Sequence, residues 1–537
     1  MNSSDTNIWR PDPINPQNSL KLRNHKLAQG ITFNKILFGL LLLVCVLLIV
    51  GWCLYSSQNQ QNQSILSVPE NTIFVRHGED FQSALDRAKP GDTILLEAGA
   101  TFRGSFNLPL KTGNEFITIQ SSAAKTALPP VNARLEPIKY AGVLPKLESD
   151  VKGQPVILAI NGAHHFRFVG IEFGPTIEGL GNIIQIGTGE EKSVAELPHD
   201  LEFDRVWIRG SKTEGQRRGI AANGKNIKIQ NSYFSDIKRR GEESQAIAIW
   251  ATDGPIEITN NYLEGAAENI LFGGAGSRLK LVPTDCLVSN NHLNKPIEWR
   301  AENWAVKNLF EIKNGKRIRV ENNLMTNNWG MAQDGTAILF TTRADNGAAT
   351  VIEDIEFTDN IVRGAGNAIN IYGAEGGGGR RLRISNNLFE DINAQKWSAA
   401  GYFMKSTAWD DLSIENNTIL QTGSITNGYG APVTKFVFRN NIVFENEYGF
   451  KGDDEGSGKA TIDRYFPRAE ISFNAFIRGN TIHYGEKSLL LDSIKEIGFV
   501  DVETGNYVLR SNSLLKTKGL NGKPIGANLN AKTVGKQ

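Results

Sequence analysis

The chain has 537 residues, of which 54 are Gly and 50 are Asn, an Asn share roughly double that of an ordinary globular chain. Both residues tolerate left-handed backbone, so their joint excess implies many tight corners. Lys and Arg total 58 against 57 Asp and Glu, a formal charge of +1 that excludes a global pull toward nucleic acid; apolar residues at 40% exclude whole-chain disorder.

In chain order, residues 1–35 are rich in Pro and Asn and read as a short cytoplasmic tail. Residues 36–55 (ILFGLLLLVCVLLIVGWCLY) carry no charge and, as a helix of about 30 Å, match a bilayer core. A cleaved signal peptide fits poorly, because the run is long and no small-x-small site follows it. Arg10, Lys21, Arg23, Lys26 and Lys35 precede the run, and no Lys or Arg follows until Arg76. The positive-inside rule therefore predicts a single-pass signal anchor in the cell membrane, its N-terminus cytoplasmic and everything after Tyr55 outside. Three Cys cannot build a disulfide framework. Cys45 and Cys53 lie in the apolar run, and Cys286 is expected to be a small buried apolar residue. Residues 56–70 form a polar tether.

Beyond residue 160 one phrase recurs, an alternating apolar stretch that ends in an Asn-rich corner. It reads FRFVGIEF from Phe166, LEFDRVWI from Leu201, IKIQNSYF from Ile227, IEITNNYL from Ile256 and CLVSNNHL from Cys286. It continues as IRVENNLM from Ile318, IEFTDNIV from Ile355, LRISNNLF from Leu382, LSIENNTI from Leu412 and FVFRNNIV from Phe436. The corners fall at Gly170, Arg205, Asn231, Asn260, Asn290, Asn322, Asp359, Asn386, Asn416 and Asn440, a mean spacing of 30 residues. A fixed period of this length means stacked supersecondary units. The alternation has a period of two, so each phrase is a strand with one buried face. A second apolar run precedes most phrases, such as AIAIW from Ala246 and AILFTT from Ala337. Two or three short strands per coil predict an all-β, right-handed parallel β-helix of about ten coils, with corner Asn side chains stacked from coil to coil.

On these phrases the chain resembles the pectate-lyase-like superfamily of right-handed parallel β-helices, over roughly residues 75–530. The stretch ESQAIAIWATDGPIEITNNYLEGAAENILFGG from Glu243 is similar, more narrowly, to bacterial β-helix repeat proteins of no settled activity. EDFQSALDRAKPGDTILLEAGATFRGSF from Glu79 resembles that group's N-terminal cap, a short amphipathic helix leading into the first coil. The resemblance implies an N-terminal cap and first coils over 71–160, repeats over 161–450, and last coils with a C-terminal cap over 451–537.

A β-helix works on its outer face, because its interior is filled. Matching the second runs by their apolar residues places Ile249, Phe272, Phe310, Phe340, Ile371 and Met404 inward. Trp250, Gly273, Glu311, Thr341, Tyr372 and Lys405 then form one outward row, with Lys313 and Arg343 one step further along their strands. Lys313, Arg343, Tyr372 and Lys405 are the candidate catalytic residues: cations neutralise a uronate carboxylate, and a Lys, Arg or Tyr removes the adjacent proton. Trp250, Glu311, Trp299 and Arg300 are the candidate substrate-binding residues, the last two in a loop expected to rim the groove. Gln333 and Asp334 are expected on the same side. Asp453, Asp454 and Glu455 could hold Ca²⁺, although a solvated acidic loop is the simpler reading; no other metal and no further cofactor is expected. His164 and His165 read as satisfied histidines rather than ligands.

The catalytic segments of relatives are missing. The Asn-Thr-Asp, Asp-Asp and Gly-His-Gly set of polygalacturonases is represented only by Asp410-Asp411. Val206-Trp207-Ile208 matches part of the pectate-lyase Trp-Ile-Asp-His segment, but Arg209-Gly210 replace its last two residues. Two functions therefore stay open. One is an anchored β-helix that binds or processes an acidic polysaccharide by lyase or epimerase chemistry on uronates. The other is a non-catalytic platform at the cell envelope that binds glycans or proteins.

Overall fold

The computed structural model describes residues 71–343, 350–478 and 487–529. The tail, the apolar run at 36–55 and the tether, and with them the expected membrane crossing, lie outside the described residues. Among the described residues no helix is long and apolar enough to cross a membrane.

From Asn71 onward the chain winds through three parallel sheets of 14, 12 and 14 strands, a right-handed parallel β-helix. One turn shows the path. Gln245–Ile249 belongs to the 12-stranded sheet, Ile256–Thr259 to the first 14-stranded sheet and Tyr262–Glu264 to the second, before Glu268–Phe272 returns to the 12-stranded sheet. Ten of the fourteen strands in the first sheet are the ten repeat phrases. The other four lie outside the repeat: Thr72–Val75, Thr93–Leu96 and Ile117–Ser121 before it, Glu470–Ser472 after it. The solenoid is therefore longer than the expected ten coils, because strands can stack without the Asn corner that makes a phrase recognisable.

The interior follows from the period-two pattern. Phe166, Leu201, Ile227 and Ile256 occupy one register position on successive coils, all fully buried. Phe168 and Phe203 stack one position further, their ring centroids 5.3 Å apart. Each such side chain contributes roughly 1.5–3 kcal/mol by leaving water. Cys286 sits in this column-filled core, as expected, and burial pushes its thiol up to about 12.

At the corner between the two 14-stranded sheets, the first residue of each Asn-containing pair takes left-handed backbone, with φ between 54° and 59° at Asn260, Asn290, Asn322, Asp359, Asn386 and Asn416. Asn and Asp tolerate this conformation better than other side chains. The second residue turns inward. Asn261, Asn291, Asn323, Asn360, Asn387, Asn417, Asn441 and Asn474 are fully buried, and each of the first seven donates its backbone N–H and its side-chain Nδ2 to the Oδ1 of the next. The expected Asn stack exists, but its continuous rail is the residue after each predicted corner. Corner side chains pair only in places, as where Asn260 donates to Asn231 at 2.8 Å.

Two segments lie across these corners. Near the start, Arg134 donates to the carbonyls of Asn260 and Asn290 at 3.2 and 2.8 Å, and Asn260 donates to the Asn132 carbonyl. Near the end, Leu520 and Asn528 donate backbone N–H groups to the side chains of Asn440 and Asn386. The helix Phe81–Arg87 is N-capped by Asp80, which accepts from the Ser83 N–H, and buries Phe81 against Phe102 and Phe106.

Candidate functional site

The 12-stranded sheet carries the candidate site on its outer face. Ile249 pairs with Phe272, Phe272 with Ile312, Ile312 with Phe340, and Phe340 with Ile371. Ile312, not Phe310, therefore continues the inward column, and Ile369, not Ile371, is level with Met404. A two-residue slip keeps every side chain on its expected face but moves it about 6.6 Å along the strand.

The observed outward row is Trp250, Gly273, Lys313, Thr341, Tyr372 and Thr407. Glu311 and Lys405 belong to a neighbouring row with Leu271, Leu339 and Asn370. Lys313 thus comes level with Tyr372 two coils away. Arg343 lies one step further along its strand, its backbone N–H donating to the Lys313 carbonyl at 3.4 Å.

These residues border a cleft of about 490 Å³ lined by Glu243, Lys307, Glu311, Lys313, Arg343 and Tyr372, with Gln333, Asp334, Asn370 and Tyr429 around them. Arg343 and the Tyr372 hydroxyl both reach Glu375, at 3.5 and 3.4 Å. Lys313 Nζ lies 3.9 Å from Glu311, which also accepts from Thr341 at 3.2 Å. Lys405 lies over the ring of Tyr429, 5.0 Å from its centroid.

Acidic groups border the cleft and lie buried beside it. Burial, reinforced by Glu311 and Glu243, raises the Glu268 carboxyl to about 7. Burial likewise raises Glu311, against the opposing pull of Lys313. Glu243 differs: burial disfavours its charge, but the hydrogen bond and charge of Lys307 outweigh this and hold it below the usual carboxylate range. One oxygen each of Glu268 and Glu311 is buried without a hydrogen-bond partner.

The remaining candidates lie elsewhere. Trp250 stands in an adjoining hollow of about 540 Å³, bordered like the cleft by Glu243, with the Arg218 guanidinium 5.2 Å from its ring centroid. Trp299 is buried with Trp304, Trp329 and Trp397, and Lys238 lies over its ring. Arg300 lies over Trp329 and Trp397 and donates to the Lys396 carbonyl at 3.1 Å. The loop read as a groove rim packs its cations and tryptophans between the strand His292–Asn294 of the second 14-stranded sheet and Asn308–Ile312 of the 12-stranded sheet. Trp299 borders a separate hollow of about 650 Å³ with Trp207, Tyr233, Lys238 and Glu264. Asp453, Asp454 and Glu455 bring no three ligand atoms together, and Glu455 pairs with Arg464 at 2.9 Å. Sequence reasoning passed over Lys307, Asn370, Glu375 and Tyr429. None stands in a repeat phrase, and only the strand register brings them to the cleft.

A solved structure, the PL6 family alginate lyase AlyGC, superposes with a TM-score of 0.53 at 16% identity over 85% of this chain. The chain shares the right-handed parallel β-helix fold. It spans 58% of the AlyGC chain. The PL6 polysaccharide lyase Pedsa3628 from Pseudopedobacter saltans matches at 13% identity over 85% of this chain and 99% of its own, with a TM-score of 0.45. The surface adhesin PfbA of Streptococcus pneumoniae matches at 12% identity over 70% of this chain and 88% of its own, with a TM-score of 0.46. No family model and no curated protein matches the sequence.

Proposed function

We propose that the β-helix binds a uronate-containing polysaccharide along the 12-stranded sheet and cleaves it by β-elimination in the cleft at Lys313, Arg343 and Tyr372. The observation that carries this reading is the placement of two cations and a phenol on three successive coils beside an adjoining aromatic hollow. Arg343 holds the uronate carboxylate and stabilises the charge that develops when the proton on the neighbouring carbon is removed. Lys313, having passed its ammonium proton to the neighbouring Glu311, takes that proton as a free amine, and Tyr372 gives one to the departing glycosidic oxygen, leaving a carbon–carbon double bond on the new end. Lys405 extends the positive surface, and Trp250 carries a sugar ring on its face. Burial raises the carboxyls of Glu268 and Glu311, which lessens the negative charge held beside an anionic chain. The alginate lyase fold match supports a glycan-processing reading.

The second reading, a non-catalytic glycan-binding platform, draws on the pairing of Lys313 with Glu311 and Arg343 with Glu375, which offsets both cations. In either case residues 36–55 would anchor the chain with its β-helix outside the cytoplasm, and the helix Phe81–Arg87 would cover the solenoid's first end. Incubation of the full-length chain in detergent with alginate, pectate and glycosaminoglycans separates the readings. Cleavage is expected to appear as ultraviolet absorbance from unsaturated ends, reduced at least 100-fold in Lys313→Ala and Arg343→Ala. Glycan binding without such absorbance would establish the platform.

A further inference from the structure

Three histidines far from the cleft in sequence meet on the outer side of the first sheet. His164 and His165 begin the strand His164–Val169, where successive side chains should face opposite ways. His165 has left-handed backbone, φ 57°, which breaks that alternation, and both residues are half-buried. On the next coil His199 pairs in register with His164, and their rings stack with centroids 4.6 Å apart and planes 9° from parallel. His165 stands nearly perpendicular to both, at 84° and 86°.

We propose that His164, His165 and His199 form a binding site for a divalent transition-metal ion, Zn²⁺ being the ion whose coordination they suit best. One nitrogen from each ring can be chosen so that all three lie within 4.8 Å of one another. Zn–N bonds of about 2.0–2.1 Å in tetrahedral geometry need nitrogens about 3.3 Å apart, so the stacked rings of His164 and His199 turn toward a common point when an ion binds. The Nδ1 atoms of His164 and His165 face each other at 2.7 Å, a contact that holds one proton between two lone pairs and that a metal ion can replace.

The surroundings are those of a ligating histidine. His199 Nδ1 lies 2.6 Å from Asp200 Oδ2, which leaves Nε2 as its ligand atom. The other Asp200 oxygen accepts from the Asn226 side chain. A carboxylate that orients the far nitrogen of a histidine is the usual support behind a metal ligand. Asp200 and Asn226 share the left-handed corner of His165 on the two following coils, so the solenoid's own repeat builds this support. The nearest cation in the column, Lys225, level with His199 on the next coil, is paired with Asp253 at 3.2 Å. Three imidazoles select Zn²⁺, Ni²⁺ or Cu²⁺ over Ca²⁺ or Mg²⁺, and they leave a fourth position for water.

The test uses the full-length chain in detergent, stripped with a chelator and titrated with Zn²⁺ against a chromophoric competitor. One equivalent is expected to bind, raising the unfolding midpoint, and Co²⁺ in its place is expected to give the visible absorption of a four- or five-coordinate ion. His199→Ala and the double variant His164→Ala/His165→Ala should lose that equivalent, and Asp200→Asn should weaken it 10–100-fold. Circular dichroism establishes that each variant is folded. Absence of stoichiometric binding by the wild-type chain, or binding unchanged in folded variants, overturns the proposal. Should the alanine variants not fold, the Co²⁺ spectrum of the wild-type chain decides by itself: a six-coordinate spectrum or none overturns the site.

Discussion

The buried asparagine rail shows how one side chain can serve both folding and register. Asn360 accepts at Oδ1 from the N–H and Nδ2 of Asn323, and its own Nδ2 donates to Asn387 and to the Val320 carbonyl. Asn360→Ala therefore strands the backbone N–H of Asn323 and the Val320 carbonyl, both on the preceding coil, and should cost about 1–3 kcal/mol for each group stranded. Urea unfolding of the variant against wild type measures this. The Asn-Asn pairs were visible in the sequence, but which member turns inward was not, because that depends on the left-handed φ of the first. Glu268 carries a second prediction. Burial first, then the neighbouring Glu311 and Glu243, raises its carboxyl to about 7, so the folded chain binds that proton more tightly than the unfolded chain. The stability it supplies is fully present below the ordinary Glu value of 4.5 and is lost as pH rises through about 7. The unfolding midpoint should fall across this window, and Glu268→Gln should flatten the fall in a pH series of thermal melts.

At the scale of the element, face and position along the strand were unequally legible. A strand's parity follows from the order of its residues alone, so Lys313, Tyr372 and Thr341 were correctly placed outside. Position along the strand depends on how much chain each loop between coils absorbs. Neither NLFEIK from Asn308 nor YFMKS from Tyr402 states that Ile312 rather than Phe310, and Ser406 rather than Met404, continues the column. The tryptophan loop was legible only in part: a loop rich in Trp and Arg suits both a packed cluster and a groove wall, and Trp299 sits in the cluster while bordering a hollow apart from the cleft. Trp299 is 3% exposed and packs on Ala266, Trp304 and Val306. Trp299→Ala should cost about 3–5 kcal/mol, read in the same unfolding assay, and leave glycan affinity unchanged.

From Asn71 on, the chain is a stack whose length is set by repetition and whose sides are covered selectively. The interior is one continuous apolar cluster from Val75 to Phe476, whereas a second cluster lies outside it, where Leu491, Ile497, Tyr507, Leu515 and Ile525 cover Ile361, Leu388, Ile442 and Ala475. Tyr507 also donates to Glu390 at 3.0 Å. Removing residues 492–537 should expose this face and the sheet edge beside it, and light scattering should then report association of the truncated chain.

The order of residues by itself determined the strand period, the coil of about 30 residues, the Asn corners and the outward character of the cleft residues. Each of these is a local property, repeated until it becomes unmistakable. Tertiary structure alone decided which Asn forms the rail, which residues share a row, that the tryptophans pack together apart from the cleft, and that His199 joins His164 and His165. The reason is physical: in a solenoid every neighbour across a sheet is a full coil away in sequence, and loops of unequal length set the register between coils without leaving a mark in the strands they join.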